Sequence, residues 1–284
     1  MTRHQKLKGR ILIMFIAMFF GAAAHAELTL GIHPFKPPST LIKSFTPLAE
    51  YLSHKLNEPV SIKISKDYQT HIDSVGQDKF DLAYMGPAPY VQMVQAYGQK
   101  PLLARQVING SPVFHGKIFV RKDSAIQSIE ELKGKRFAFG DHNSTMSHLV
   151  PRFMLWQAGV RGEQLASFKH VSDHMNIALA VLAGDFDAGA VKEDVFFAQE
   201  QRGLRAIATS PPIFDHPFVA SKRLPAEKVE ALRNALLNVA NEPNGKEILQ
   251  AMTPGVTALV PAANQDYDNL RGILNKLKEL GINP

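Results

Sequence analysis

Strand-like and helix-like stretches take turns from residue 27 to the end of the chain, and this alternation restricts the fold more than any other feature. Residues 27–33 read as a strand, and residues 39–57 carry Phe45, Leu48, Ala49, Leu52 and Leu56 at helical spacing. Residues 60–65 alternate, with Val60, Ile62 and Ile64 on one face. Strand–helix pairs follow at 81–85 with 87–97, 136–140 with 144–158, and 167–171 with 174–183, and the runs 226–240 and 265–281 read as amphipathic helices. Such alternation predicts an α/β protein with parallel sheets flanked by helices.

Two extended segments suit a passage between lobes: residues 114–120, and residues 207–220 with Pro211, Pro212 and Pro217. Taking them as two hinge crossovers predicts a clamshell. Its first lobe is 27–115 with 216–284, and its second is 116–215. A chain of 284 residues, 45% hydrophobic, can fill two cores.

Residues 1–26 read as an address. Arg3, Lys6, Lys8 and Arg10 precede an apolar run from Ile11 to Ala24, and Ala24 and Ala26 are the small residues a signal peptidase reads. The run is shorter than the roughly 20 residues that span a bilayer. Cleavage after Ala26 lowers the formal charge from +6 to +2, because the basic residues fall from 32 to 28 against 26 acidic ones. That removes the case for a nucleic-acid binder. The absence of Cys excludes thiolate metal sites, cysteine nucleophiles and a lipid-anchored lipoprotein. A soluble exported protein of this kind is expected in the periplasm of a two-membrane bacterium.

Ligands of open α/β sheets bind where strands end and helices begin. Three such handovers are rich in polar or aromatic side chains: residues 66–70 with Tyr68, residues 84–90 with Tyr84 and Tyr90, and residues 139–147 with Ser144, Thr145, Met146 and Ser147. Hydroxyls in the first turn of a helix donate alongside its free amides and suit a tetrahedral oxyanion. Ser144 also suits a plain helix cap worth about 1 kcal/mol, and one residue can be both. His174 opens a further helix. His170 and His174 sit four apart, but a helix cap falls between them, and His142 and His148 have no acidic or thiol partner at ligand spacing, so neither a metal nor another cofactor is expected. A hydrolase assembled from Ser144, His174 and Asp194 lacks the strained nucleophile elbow.

With these residues the chain resembles the phosphonate/phosphite/phosphate-binding periplasmic proteins of ABC transporters, over nearly all of its length after residue 26. Asp67-Tyr68 is similar to the family's D-Y before a helix. Residues 81–90 resemble D-x-A-x-x-G-P-x-x-Y. Residues 119–124 and 132–141 match the approach to the anion loop, and 144–151 resembles S-T-S-G-x-L-x-P. His174 and residues 185–190 resemble the family's H…V-D-A-A stretch. The resemblance implies the two-lobed, type II binding-protein fold. It implies that Ser144 and Thr145 hold phosphoryl oxygens, that Tyr68 and His174 complete that shell, and that Asp194 is the acid facing a substrate amine.

Three positions depart from the pattern. Met146 replaces a hydroxyl, Phe114 beside His115 stands where an aromatic hydroxyl is expected, and Asp215-His216 stands near the second crossover. They argue against an aminoethylphosphonate specialist and leave the oxyanion open. The expected function is capture of a small phosphorus oxyanion, without catalysis, by a monomer that delivers it to an ABC permease. The alternative is a ligand-sensing subunit of the same fold that signals to a membrane receptor or histidine kinase.

Overall fold

The computed structural model describes residues 27–171 and 173–282, so the expected signal segment and the expected cleavage after Ala26 lie outside the described residues. The chain first lays down β1 (Leu28–Ile32), α1 (Pro38–Leu56), β2 (Val60–Ile64), α2 (Tyr68–Gly76), β3 (Leu82–Tyr84), α3 (Pro87–Tyr97) and β4 (Leu102–Ile108). The short β5 (Val113–Phe114) leads into β6 (Gly116–Arg121), β7 (Arg136–Phe139), α4 (Val150–Gln157), β8 (Ser167–His170), α5 (His174–Ala183), β9 (Ala188–Lys192), α6 (Glu193–Glu200) and β10 (Leu204–Thr209). The return runs through β11 (Ile213–Phe214) to β12 (Pro217–Ala220), α7 (Ala226–Asn238), α8 (Gly245–Met252), β13 (Val256–Val260) and α9 (Asp268–Glu279).

Two sheets result, in the orders β13-β4-β12-β3-β1-β2 and β10-β6-β9-β7-β8, and β5 pairs with β11 between them. The expectation of parallel sheets needs correction. β2-β1-β3 and β8-β7-β9 are parallel, but β12 runs antiparallel to β3 and β4, and β6 runs antiparallel to β9 and β10. β13 also runs antiparallel to β4, and for β6 and β12 the cause is the passage between sheets. A strand arriving from the other lobe enters at the end where its neighbours finish, so β6 and β12 run against them. The antiparallel ribbon, with Ile213 opposite Phe114 and Phe214 opposite Val113, holds the two crossings together.

One core lies under each sheet, and a third apolar cluster runs across both lobes. Helix α9 sits in this shared cluster. Leu270, Ile273, Leu274 and Leu277 bury one face of it, and it packs on both α3 and α4.

The loop after β7 has an unusual start to its helix. Pro151 has no N–H, so the carbonyl of Ser147, four residues earlier, lacks its helical donor. Gly140 N–H supplies that bond instead at 2.9 Å. The turn Thr145–Leu149 widens to i→i+5 bonds, Leu149 N–H to Ser144 O and Val150 N–H to Thr145 O, before α4 continues as an ordinary helix. This bond needs close contact: a Cβ on Gly140 would fall 2.0 Å from Ser147 Oγ.

Several imidazoles lie in the interior. His71 is fully buried, its Nδ1 3.1 Å from Ser65 Oγ and its ring 5.8 Å from Phe80. Burial holds its pKa at about 3, and burial holds His174 at about 4.

Gly140→Ala should cost about 1–3 kcal/mol, the usual penalty of overpacking, read as a lower urea midpoint at unchanged slope. The buried histidines set a pH dependence. Their folded pKa values lie below the unfolded value near 6.5, so the unfolded chain binds more protons in between. Stability is therefore full above about pH 6.5 and falls with pH down to about 4 and 3, at about 1.4 kcal/mol per pH unit for each proton taken up. Melting temperature followed from pH 7.5 to 4 should drop along this window, and His71→Gln should flatten the slope.

Candidate functional site

Five strands end at one place, and four of them hand over there to helices that begin with a chemically useful side chain. After β2, Asp67 caps α2 by accepting the Thr70 N–H at 2.6 Å, and Tyr68 is the first helical residue. After β7, Ser144 caps the wide turn and Thr145 opens it. Asp173 caps α5 through the Asn176 N–H at 2.9 Å, and His174 opens that helix. After β9, Lys192 precedes α6, with Asp194 in its first turn. His33 follows the end of β1. These side chains line a cleft of about 450 Å³ between the sheets, with Phe35, Tyr84, Phe114, Met175 and Val195 supplying apolar wall.

Ser144 is forced to donate. Its Oγ accepts the Ser147 hydroxyl at 2.6 Å and the Ser147 N–H at 3.4 Å, and His174 Nε2 stands 3.5 Å away. With its lone pairs engaged, its own O–H is left to donate, and the Tyr68 hydroxyl oxygen is its neighbouring acceptor. The tautomer of His174 follows from its other nitrogen. Nδ1 receives the backbone N–H of Lys192 at 3.0 Å, so it is the unprotonated nitrogen and Nε2 carries the hydrogen. His174 is thus a neutral donor aimed toward Ser144. Burial, with the Asp141 carboxylate adding to it, pushes the Tyr68 hydroxyl well above its ordinary pKa and keeps its proton, and Ser144 is its hydrogen-bonding neighbour.

Thr145 joins the two lobes. Helix α3 begins Pro87-Ala88-Pro89, so of these three residues only Ala88 has an N–H, and Thr145 Oγ1 accepts it at 3.0 Å. Asn143 Nδ2 also reaches Gln69 Oε1 at 3.4 Å.

The far wall holds charge. Burial alone would push the Lys192 ammonium down, but the carboxylates of Asp215, Asp194 and Glu193 outweigh it and raise its pKa. Its Nζ lies 5.0 Å from the centre of the Phe114 ring. Asp215 is fully buried; burial would raise its pKa, yet Lys192 and the His216 and Gln106 hydrogen bonds bring it to about 2. His216 Nδ1 donates to Asp215 Oδ1 at 2.5 Å, Gln106 Nε2 donates to the same oxygen at 2.8 Å, and Tyr84 donates to Gln106 Oε1 at 2.9 Å. His33 differs from all of these. It is 1% exposed, stacks on Phe35 at 4.7 Å and lies 5.3 Å from His216, and neither ring nitrogen has a hydrogen-bond partner among the described residues.

Of the residues singled out in the sequence, Tyr68, Tyr84, Ser144, Thr145, Met146, His174, Asp194 and His216 line this cleft. Three do not. Tyr90 is fully buried against Tyr267, and its hydroxyl is spent on Asn264 Oδ1. His115 turns to the Ser210 carbonyl at 2.8 Å. Ser147 sits behind Ser144 and acts only through it. His33, Phe35, Lys36 and Lys192 line the cleft without having been foreseen. Lys192 was legible, since it ends a strand directly after the 185–190 stretch and strand ends carry ligands. His33 gave no signal beyond ending a strand itself.

Comparison with known proteins identifies the family. Residues 30–267 match the model of a family described as the ABC transporter, phosphonate, periplasmic substrate-binding protein. The phosphonates-binding periplasmic protein of Escherichia coli K12 is 25% identical over 246 residues, covering 81% of this chain and 72% of that one. A probable ABC transporter phosphite-binding protein, PhnD1 of Prochlorococcus marinus MIT 9301, is 26% identical over 273 residues, covering 89% and 90%. The structure of PhnD1 from the same organism with methylphosphonate superposes with a TM-score of 0.81 at 24% identity, covering 89% of this chain and 98% of that one. The two mixed sheets, the paired crossovers and the cleft between them are the type II binding-protein fold, and this chain belongs to the periplasmic phosphonate substrate-binding proteins of ABC transporters.

Proposed function

We propose that this protein loses residues 1–26 on export, captures a phosphorus oxyanion in the interlobe cleft and delivers it to an ABC permease. The observation that carries the reading is the donor set at Ser144: a hydroxyl obliged to donate, the Thr145 hydroxyl beside it, the His174 Nε2–H and the Tyr68 hydroxyl, all at helix starts. Neutral donors and helix dipoles hold an anion in a dry cleft when each oxygen is paired. The relatives' names support the class, since they refer to phosphonates and to phosphite, and the PhnD1 structure contains methylphosphonate.

The bodies that close are 27–115 with 216–284, and 116–215, pivoting at the β5–β11 ribbon. The bond between Ala88 and Thr145 forms only when they meet. Binding without catalysis is supported by the state of His174. A serine hydrolase needs a carboxylate on Nδ1–H so that Nε2 can take the serine proton. Here a backbone N–H occupies Nδ1, and Nε2 already carries its hydrogen.

The ligand carries an organic substituent. A cleft of about 450 Å³ holds more than a bare tetrahedral anion and falls in the range of organic ligands, about 300–1,000 Å³. Beyond the anion donors it presents Phe35, Phe114 and Met175, and the unpartnered His33 marks where a polar atom of the substituent sits.

The test is the melting temperature of refolded 27–284 against phosphate, phosphite, methylphosphonate, aminoethylphosphonate, sulfate and arsenate. Phosphorus anions at 1,000 times their Kd should stabilise by about 4 kcal/mol, several degrees here, with substituted phosphonates ahead of phosphite and phosphate. No shift with any phosphorus anion overturns the class, and phosphate or phosphite in the lead overturns the substituent. Ser144→Ala and Thr145→Ala should each weaken binding by about 1–3 kcal/mol, and unchanged affinity in both removes this loop from the site.

A further inference from the structure

His142 and His148 stand six residues apart and His170 a further 22 on, a spacing that suggested no metal site, but the fold gathers them. His142 and His148 flank the anion turn and His170 ends β8, parallel to β7 with Phe139 opposite. One ring nitrogen from each lies within 4.8 Å of the other two. We propose that these three imidazoles form a binding site for a borderline divalent transition metal, Zn²⁺ or Ni²⁺, behind the anion loop and apart from the ligand cleft.

Three observations besides proximity carry this. First, His148 Nδ1 faces the carbonyl of His142 at 2.7 Å. A carbonyl only accepts, so Nδ1 carries the hydrogen and Nε2 keeps its lone pair, the arrangement by which a backbone carbonyl orients a metal-ligating histidine. Second, His170 Nε2 is buried and has no hydrogen-bond partner among the described residues. Third, His148 is buried while His142 is exposed, so the cluster has a fixed inner ligand and an outer one reached from solvent.

The donor set selects the ion. Three imidazoles without a carboxylate or thiolate suit Zn²⁺, Ni²⁺ or Cu²⁺ and are poor ligands for Mg²⁺ or Ca²⁺. At metal–nitrogen distances of about 2.0–2.1 Å the ligand atoms must draw closer than they stand. The exposed His142, stacked on His170 at 3.6 Å, makes that move by rotating out of the stack. The Arg152 guanidinium, held over Phe139 and Phe168, is a nearby positive charge that repels the ion. It favours an anionic fourth ligand such as chloride or hydroxide. A metal held there would tie together the two ends of the loop that presents Ser144 and Thr145.

The experiment is calorimetric titration of chelator-stripped 27–284 with ZnCl₂ and NiCl₂, with MgCl₂ as the hard-ion control and no phosphorus anion present. One equivalent of Zn²⁺ or Ni²⁺ should bind, and at 100 times its Kd should raise the melting temperature by about 5–10 °C. His142→Ala and His170→Ala should each weaken binding at least 10-fold, while the control His54→Ala on α1 leaves it unchanged. Both variants should retain the anion-induced melting shift of the parent, which separates loss of metal from loss of fold. Absence of metal binding, or binding that survives both substitutions, overturns the site. Neither result bears on anion capture, which is read separately.

Discussion

The free N–H groups at the start of a helix must be paired, and the binding face of this protein is built from how that is done. Short polar side chains at the ends of β2, β7 and β8 serve as caps: Asp67, Ser144 and Asp173. Each cap fixes the first turn and places the next side chain, Tyr68, Thr145 or His174, at the mouth of its strand. Because β2-β1-β3 and β8-β7-β9 are parallel, those mouths lie along one edge of each sheet. The ribbon of β5 and β11 sets the two edges face to face. Helix α3 follows the same rule by subtraction: Pro87 and Pro89 leave the Ala88 N–H, and Thr145 accepts it from the opposite lobe.

Charge is arranged so that the cleft is polar without being strongly cationic. Lys192 is offset by buried Asp215, and the hydrogen-bonded chain Tyr84–Gln106–Asp215–His216 fixes that carboxylate beside the second crossing. Tyr267 adds its hydroxyl to the Asp215 backbone carbonyl at 2.8 Å. Lys36, the other lysine lining the cleft, likewise has the Asp194 carboxylate as its counter-charge. Directed neutral donors instead reward an anion whose oxygens match their geometry, so selection comes from hydrogen bonding and shape.

The sequence reveals parts of this fold where local physics decides alone. Helices α3 and α5 begin and end where their caps put them, because Gly86-Pro87 and Asp173 are strong starts and Gly98 and Gly184 close them. Strand β4 is covered on both sides and shows no alternation, and α6 has so little amphipathic contrast that its pattern says nothing. The antiparallel direction of β6 and β12 depends on which lobe the chain is coming from, which no local window contains. The site divides in the same way. Ser144, Thr145, Tyr68 and His174 stand in recognisable cap-and-turn contexts. Tyr90 stands in an equally suggestive one, yet tertiary packing against Tyr267 draws it into the core. His33 is the converse case, an ordinary strand end made special by the rings around it, Phe35 from its own segment and Tyr68, Tyr84 and His216 from three others.

The C-terminal helix sets the kind of motion available to the lobes. Two bodies joined only by a two-stranded ribbon would swing freely, and closure would have to overcome the entropy of that freedom. Helix α9 packs on α3 from one lobe and α4 from the other, within an apolar cluster that runs from Ile72 to Leu277 and takes in Phe137 and Leu149. Pulling the lobes straight apart would expose that surface at roughly 25 cal/mol per Å² of apolar area, so rigid separation is disfavoured. Rotation about the ribbon that keeps α9 seated exposes much less. Opening is therefore confined to the polar side, where the bonds between lobes are Ala88 to Thr145 and Asn143 to Gln69. Those contacts are few and exchangeable with water, so a ligand bound in the cleft can tip the balance toward the closed form with only a few hydrogen bonds.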